Sequence, residues 1–338
     1  MRVLVTGGAG FVGSHLVRRL LSRGHTVTSL DRSAGLFDEE LRTSGAVMLT
    51  GSVTDKADVD RAMAGQEVVY HLASPFGDIL ESDAGYWAIE VDGTRHVLES
   101  ARRHRVNRVV HCSTQGVHGI IREPMGDEDS PVAPRDYYCY SKAEGENIVT
   151  EFLAEGMDVV IVRPTSVYGP GDTRGWLTLF RMAAKGWFLM IGDGRTYNHP
   201  VYVENLVDLF ELVALAPNAR GRTYLAADQE PVTLTQLVRS VGTAVGVRVR
   251  ILRFPGMAPP GSAPRRSNLC AGESASSRPS SDADCPGFKP TAPSGSTGRA
   301  RSSATHRASP CRTGCDAPRP GIVNRVTCLP PSTPSRPC

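Results

Sequence analysis

Long apolar runs are missing from this 338-residue chain. None reaches the roughly 18 residues that a membrane-spanning helix needs. The opening MRVLVTGG enters a strand pattern directly, without a charged and apolar leader. A soluble, cytoplasmic protein with no membrane partner is expected. Cysteine is scarce where a scaffold would need it: of eight, only Cys112 and Cys139 precede residue 259. That excludes a disulfide framework for the body. Charge of one sign is also lacking, because the formal net charge is only +3. The balance is uneven, however. Residues 259–338 carry ten Arg and one Lys against four acids, so this tail is +7 and the body −4. The tail has a single aromatic, Phe288, and offers no platform for stacking bases. No nucleic-acid partner is expected.

What the chain does have, up to about residue 165, is a regular alternation. Short apolar runs (RVLVTG, HTVTSLD, AVMLTGS, EVVYHLA, RVVHCST, DVVIVRP) are separated by helix-period stretches, the first from about Phe11 and a long one through HVLESARRH. This order predicts βαβ units and an α/β fold with a doubly wound parallel sheet of Rossmann type. VVYHLA and VVIVRP are apolar at consecutive positions, as in strands buried on both faces. From about 166 to 258 the pattern is mixed: helices through WLTLFRMAAKG, ENLVDLFELVALA and TLTQLVRSVGTAVG, a loop IGDGRTYNHP and a strand TYLAAD. Residues 1–165 are therefore expected to form a dinucleotide-binding domain and 166–258 a smaller substrate lobe, parts of which return to the main sheet. Beyond 259 there are fourteen Pro and fourteen Ser but six large apolar residues, and a disordered tail is expected for 259–338. Within it, CRTGC spaces Cys311 and Cys315 like a zinc pair, but only His306 accompanies them, and no metal site is expected.

TGGAGFVGSH sets Gly7, Gly10 and Gly13 three residues apart, after a strand and opening a helix. Glycines there allow a tight turn and a close approach of backbone to a pyrophosphate, which the helix N-terminus attracts. Asp31, at the end of the second strand, adds an acid suited to an adenosine ribose. It would repel a 2′-phosphate, so NAD is expected over NADP, with the neighbouring Arg32 leaving NADP as the lesser alternative. In RDYYCYSKAEGE, Tyr138 and Lys142 are four apart and share a helix face, whereas Tyr140 points elsewhere and Tyr137 is offset by about 100°. A phenol with pKa near 10 is a weak base at neutral pH, and an adjacent ammonium favours its phenolate. The strand RVVHCST brings Ser113 and Thr114 to the same sheet edge, where a hydroxyl could meet both Tyr138 and a substrate oxygen.

Taken in order, TGGAGFVG, HLAS, VDGTRHVLES, STQGVHG, YCYSK, RPTSVYGPGD and IGDG with VYVENLVD resemble an extended short-chain dehydrogenase/reductase of the NAD-dependent epimerase/dehydratase family, over residues 1 to about 258. The resemblance implies that Tyr138 is the acid/base, that Lys142 lowers its pKa and holds the nicotinamide ribose, and that Thr114, favoured over Ser113, orients the substrate hydroxyl. Gly7, Gly10, Phe11, Val12, Gly13, Asp31, Arg32, Leu72, Ala73, Ser74, Pro164 and Val167 would join Tyr138 and Lys142 around the cofactor. Ser113, Gln115, Ser166 and Arg195 would stand near the substrate. The implied reaction is Tyr-assisted oxidation of a secondary alcohol with hydride transfer to NAD, on a small-molecule substrate that is first expected to be a nucleotide sugar. A homodimer through the helices near 84–104 and 137–155 is also implied.

The chain departs from the pattern in several places. Gln115 and Gly116 follow Thr114 where dehydratases carry an acidic pair, so sugar dehydration is disfavoured. Asn198 stands where many nucleotide-sugar enzymes have a diphosphate-gripping arginine, and asparagine cannot replace a bidentate arginine; Arg195 or Arg174 could substitute. Ser52 replaces an aspartate and Glu90 an asparagine. The hydroxysteroid dehydrogenase and dihydroflavonol reductase-like branches are the alternative, as is an impaired NAD-binding protein. In the tail, RSSATHRASPCRTGCDAP occupies the place of a family segment like ELGYxPxxxLxxGLxxT. Back-translated from the third base of the Arg301 codon, Ser302 to Pro318 accommodates ELGYTPRLALPDGLRRT, which points to a frameshift; the other reading is a genuine disordered extension. The gene's nucleotide sequence is expected to contain that second frame, and codons forbidding it would overturn the frameshift.

Overall fold

The computed structural model describes residues 1–75, 82–121, 126–173 and 175–254. The expected disordered tail, with Cys311 and Cys315, and the candidate Arg174 lie outside the described residues. In chain order the strands are β1 (Arg2–Thr6), β2 (Thr26–Asp31), β3 (Val47–Thr50), β4 (Val68–His71), β5 (Arg108–Cys112), β6 (Val159–Pro164), β7 (Ser166–Tyr168), β8 (Trp187–Ile191), β9 (Tyr197–Asn198), β10 (Pro200–Tyr202), β11 (Thr223–Ala226), β12 (Val232–Thr233) and β13 (Arg250–Phe254). The helices are α1 (Phe11–Ser22), α2 (Asp38–Thr43), α3 (Lys56–Met63), α4 (Asp83–Trp87), α5 (Gly93–Arg103), α6 (Tyr137–Ala154), α7 (Gly175–Ala184), α8 (Val203–Leu215) and α9 (Leu234–Ala244). A π-helical turn, Ala88–Asp92, joins α4 to α5.

Seven strands form the main sheet in the order β11-β6-β5-β4-β1-β2-β3, all parallel. Successive side chains on a strand face opposite ways, and β1 shows both faces buried. Val3 and Val5 pack into one core with Leu16, Val17, Leu206 and Phe210 from α1 and α8. Leu4 packs into the other with Val59, Val97, Val149 and Phe152 from α3, α5 and α6. Every residue of β4 and of β6 is buried, as their unbroken apolar runs predict. The strand order reverses between β4 and β1, and the carboxyl edge beside such a reversal is where doubly wound folds open a crevice.

Residues 166–254 contribute one strand to the main sheet and the rest to small pairs. β11 returns to the main sheet beside β6, while β7 with β10, β8 with β13 and β9 with β12 form small two-stranded pairs. IGDGRTYNHP, expected as a loop, contains β9 and the start of β10. A strand of two residues carries no readable period, so its partner β12, which pairs with it antiparallel, supplies the order. Helix α8 is tied to α1 by Glu204, whose Oε1 bonds His15 Nδ1 at 2.6 Å and whose Oε2 accepts from Arg19 at 2.7 Å.

Two buried histidines sit in the middle of the sheet. His71 bonds Thr6 Oγ1 through Nδ1 at 2.7 Å and Thr94 Oγ1 through Nε2 at 3.1 Å. His111, 5.5 Å away between ring centroids, has no hydrogen-bond partner for either ring nitrogen among the described residues. Burial, reinforced by nearby positive charge, pushes His71 down to about 3 and His111 well below its usual value. Both are neutral when folded, so the unfolded chain binds more protons as pH falls through the ordinary histidine range. Stability is therefore fully present above about pH 6.5 and is lost toward about pH 3, by about 1.4 kcal/mol per pH unit for each histidine. Urea unfolding at a series of pH values is expected to show this slope, and to show it reduced in His71→Gln; an unchanged slope in that variant would contradict the assignment.

Candidate active site

The glycine turn lies at the carboxyl end of β1. Gly7 takes φ +75°, and a Cβ there would stand 2.7 Å from Ala73 N, so backbone meets backbone. Ala73 N donates to Thr6 Oγ1 at 3.3 Å and Leu72 N to Thr6 O at 3.0 Å, which lays the segment after β4 over the turn. A Cβ on Gly13 would stand 2.1 Å from Gly7 O, so α1 can start this close to β1 only with glycine. Asp31, ending β2, accepts from Ala9 N at 3.2 Å and Arg32 N at 2.8 Å. Burial pushes its carboxyl up, and those backbone donors oppose the rise.

Above this edge opens a cleft of about 1200 Å³. Every residue assigned to the cofactor from the sequence lines it. Of the substrate candidates, Ser113, Thr114 and Ser166 line it, whereas Gln115 and Arg195 do not. Arg195 is exposed, with its backbone N bonded to Asp193 Oδ1 at 3.0 Å. Thr114 Oγ1 caps the short turn Gln115–His118 by accepting from Gly116 N at 3.1 Å. Ser113 is only 3% exposed, and its hydroxyl has no partner among the described residues.

Helix α6 begins at Asp136, whose side chain accepts from Cys139 N at 2.8 Å. This start fixes Tyr138 and Lys142 on one face, both lining the cleft. The Tyr137 and Tyr140 rings lie tilted to each other, 6.1 Å between centroids, and outside the lining. Lys142 Nζ donates to Cys112 O at 2.9 Å and lies 2.7 Å from Glu90 Oε2. Both members of this ion pair are nearly inaccessible, at 4% and 1% for their side chains.

Burial first, and the Glu90 charge second, push the Tyr138 phenol well above its ordinary value. The Glu90 carboxylate, 2.7 Å from the Lys142 ammonium, opposes the pull of that charge toward phenolate. Glu90, which the sequence marks only as standing in place of an asparagine, is brought against Lys142 by the fold.

A glycine turn at the switch point, a strand-end acid and a tyrosine and lysine on one helix face define a dinucleotide-type α/β enzyme site. Residues 3–227 match the NAD dependent epimerase/dehydratase family, and the chain belongs to that family, whose members are enzymes. It is 32% identical over 256 residues to a 2-alkyl-3-oxoalkanoate reductase of Stenotrophomonas maltophilia, covering 73% of this chain and 76% of that one. It is 33% identical over 276 residues to a 3 beta-hydroxysteroid dehydrogenase/Delta 5-->4-isomerase of Mycobacterium tuberculosis, covering 76% and 73%. Among solved structures, a dTDP-glucose 4,6-dehydratase of Streptomyces venezuelae with NAD bound superposes with TM-score 0.66 at 28% identity, over 75% of this chain and 84% of that one. Among the described residues no helix is long and apolar enough to cross a membrane.

The glycine geometry predicts a graded response. Gly13→Ala, which drives a Cβ into Gly7 O, is expected to cost about 1–3 kcal/mol in urea unfolding. Gly10→Ala, whose Cβ would meet only Gly7 O at 3.1 Å, is expected to cost less. Equal losses would contradict this account of the turn.

Proposed function

We propose that this chain is an NAD-dependent oxidoreductase interconverting a secondary alcohol and a ketone on a largely apolar substrate. The observation that carries the substrate class is the lining of the cleft beyond Tyr138. Trp176 and Leu179 of α7 and Leu234 and Leu237 of α9 line it, and the only arginine among the described lining residues is Arg32, beside Asp31. Asn198 is also there, in the place where the resemblance leads one to expect an arginine for a diphosphate. An apolar wall with a few polar groups suits a steroid-like or acyl-chain substrate, in line with the reductase and hydroxysteroid relatives and in preference to a nucleotide sugar.

The residues fit NAD. The turn at Gly7, Gly10 and Gly13 leaves backbone N–H groups at the start of the twelve-residue α1 for a pyrophosphate. Asp31 suits an unphosphorylated ribose and disfavours a 2′-phosphate. NAD supplies the hydride acceptor when bound. The chain's own residues do the rest: the Tyr138 hydroxyl exchanges a proton with the substrate oxygen, Ser113 and Thr114 orient that oxygen, and the apolar wall excludes water. Proton transfer by a positioned group contributes about 10²- to 10⁴-fold.

Purified protein with NAD is expected to oxidise hydroxysteroids or 3-hydroxyacyl-type alcohols, seen as NADH absorbance. Tyr138→Phe is expected to lower kcat by about 10²- to 10⁴-fold with NAD binding retained. Turnover confined to sugar nucleotides would overturn the substrate class. NAD binding without turnover on any alcohol, or Tyr138→Phe as active as wild type, would overturn the catalytic reading.

A further inference from the structure

We propose that His15 is a positioning residue for the dinucleotide: it latches the loop after β7 beside the glycine turn, and that latch sets how fast the cofactor leaves. The inference rests on the NAD reading above and adds the element that retains the cofactor. His15 lies on α1 and is only 5% exposed. Its ring joins segments far apart in the chain. Nε2 donates to Pro170 O at 2.7 Å, a carbonyl that can only accept, and Nδ1 is bonded to Glu204 Oε1 of α8 at 2.6 Å. Proline has no N–H, so its carbonyl is the one backbone group by which Pro170 can be tied.

The loop that contains Pro170 reaches the cleft. Gly171 and Asp172 line it together with Gly10 and Phe11 of the turn and with Gly35 and Phe37 from the loop after β2. The two loops meet there. Gly171, at φ +93°, sets its backbone against the Phe37 ring, where a Cβ would stand 2.7 Å from Cε2. Gly35 passes so close to Ala9 O that a Cβ would not fit between them. His15 stands at this junction in T-shaped contact with both rings, 5.8 Å from Phe11 and 6.3 Å from Phe37 between centroids.

The strap is internally bonded. Asp172 N donates to Gly169 O at 3.2 Å, and Asp172 Oδ2 accepts from Trp176 N at 3.0 Å in the first turn of α7. His15 holds its carbonyl from the α1 side, and Glu204, itself gripped by Arg19 at 2.7 Å, keeps the imidazole from turning away. A tie between α1 and α8 would need no bond to Pro170, because Arg19 already makes one through Glu204, Asp208 and Glu211. The second bond of His15 therefore serves the strap. A pyrophosphate attracted to the start of α1 lies beside that strap, so lifting it is part of the way out. A change in how firmly a bound group is enclosed falls mainly on the dissociation rate.

NADH release tests this, followed as the loss of bound-NADH fluorescence on adding excess NAD, with no alcohol present. His15→Gln is expected to release NADH about tenfold faster than wild type, the scale of one lost hydrogen bond to a buried carbonyl, with association changed by less than about threefold. Asp208→Ala combined with Glu211→Ala loosens α1 from α8 and leaves His15, Glu204 and Pro170 untouched. That pair is expected to unfold at lower urea, yet to release NADH at the wild-type rate. Gly171→Ala reaches the strap from the cleft side with the latch residues intact and is expected to speed release as well; it decides the matter if His15→Gln does not fold. Wild-type release in folded His15→Gln or in Gly171→Ala, or equal acceleration by the α8 pair, would overturn the proposal. No turnover is read, so inactivity on every alcohol leaves the result standing. A wild-type chain that binds no NADH would overturn the cofactor reading, and the latch with it.

Discussion

Everything in the cleft depends on how closely the chain after β4 approaches the turn after β1. Gly7, at φ +75°, leaves no Cβ where the Ala73 backbone passes. That approach joins the ends of two neighbouring parallel strands, and because β1 lies between β4 and β2, Asp31 falls on one side of the turn and Ser74 on the other. The helix that starts at Phe11 can come close because Gly13 adds no side chain. A Cβ at either glycine would force the neighbouring backbone to shift.

The second constraint is electrostatic. Tyr138 and Lys142 share a face of α6, yet the ammonium is tied to Glu90 and to Cys112 O. The phenol is therefore a weak acid in this arrangement, held up by burial and by the carboxylate. Burial likewise keeps His71 of β4 and His111 of β5 neutral.

Much of this was legible in the sequence for definite reasons. Buried parallel strands leave unbroken apolar runs, and β4 and β6 were read from them. The Gly7, Gly10 and Gly13 spacing encodes a steric demand that other residues cannot meet, and the four-residue step from Tyr138 to Lys142 encodes a helix face. Three things could not be read. The pairing of β9 with β12 joins two-residue strands far apart in the chain. The exposure of Arg195 and the absence of Gln115 from the cleft depend on how turns aim their side chains, which spacing does not specify. The placing of Glu90 against Lys142 depends on a π-helical turn that breaks the usual helical phase, so it showed only as an unexpected residue type. The apolar wall from α7 and α9 is likewise a product of tertiary packing, and it moves the substrate reading from sugars to apolar alcohols.

In the proposed reaction hydride leaves the substrate carbon for NAD and stays on the cofactor as product. Deuterium placed on the carbinol carbon of an apolar secondary alcohol follows that hydride. Deuterium is expected in the released NADH, with none of it in the ketone and slower turnover than with the unlabelled alcohol. Deuterium returned to the same carbon in an epimerised alcohol, with no labelled NADH released, would contradict it.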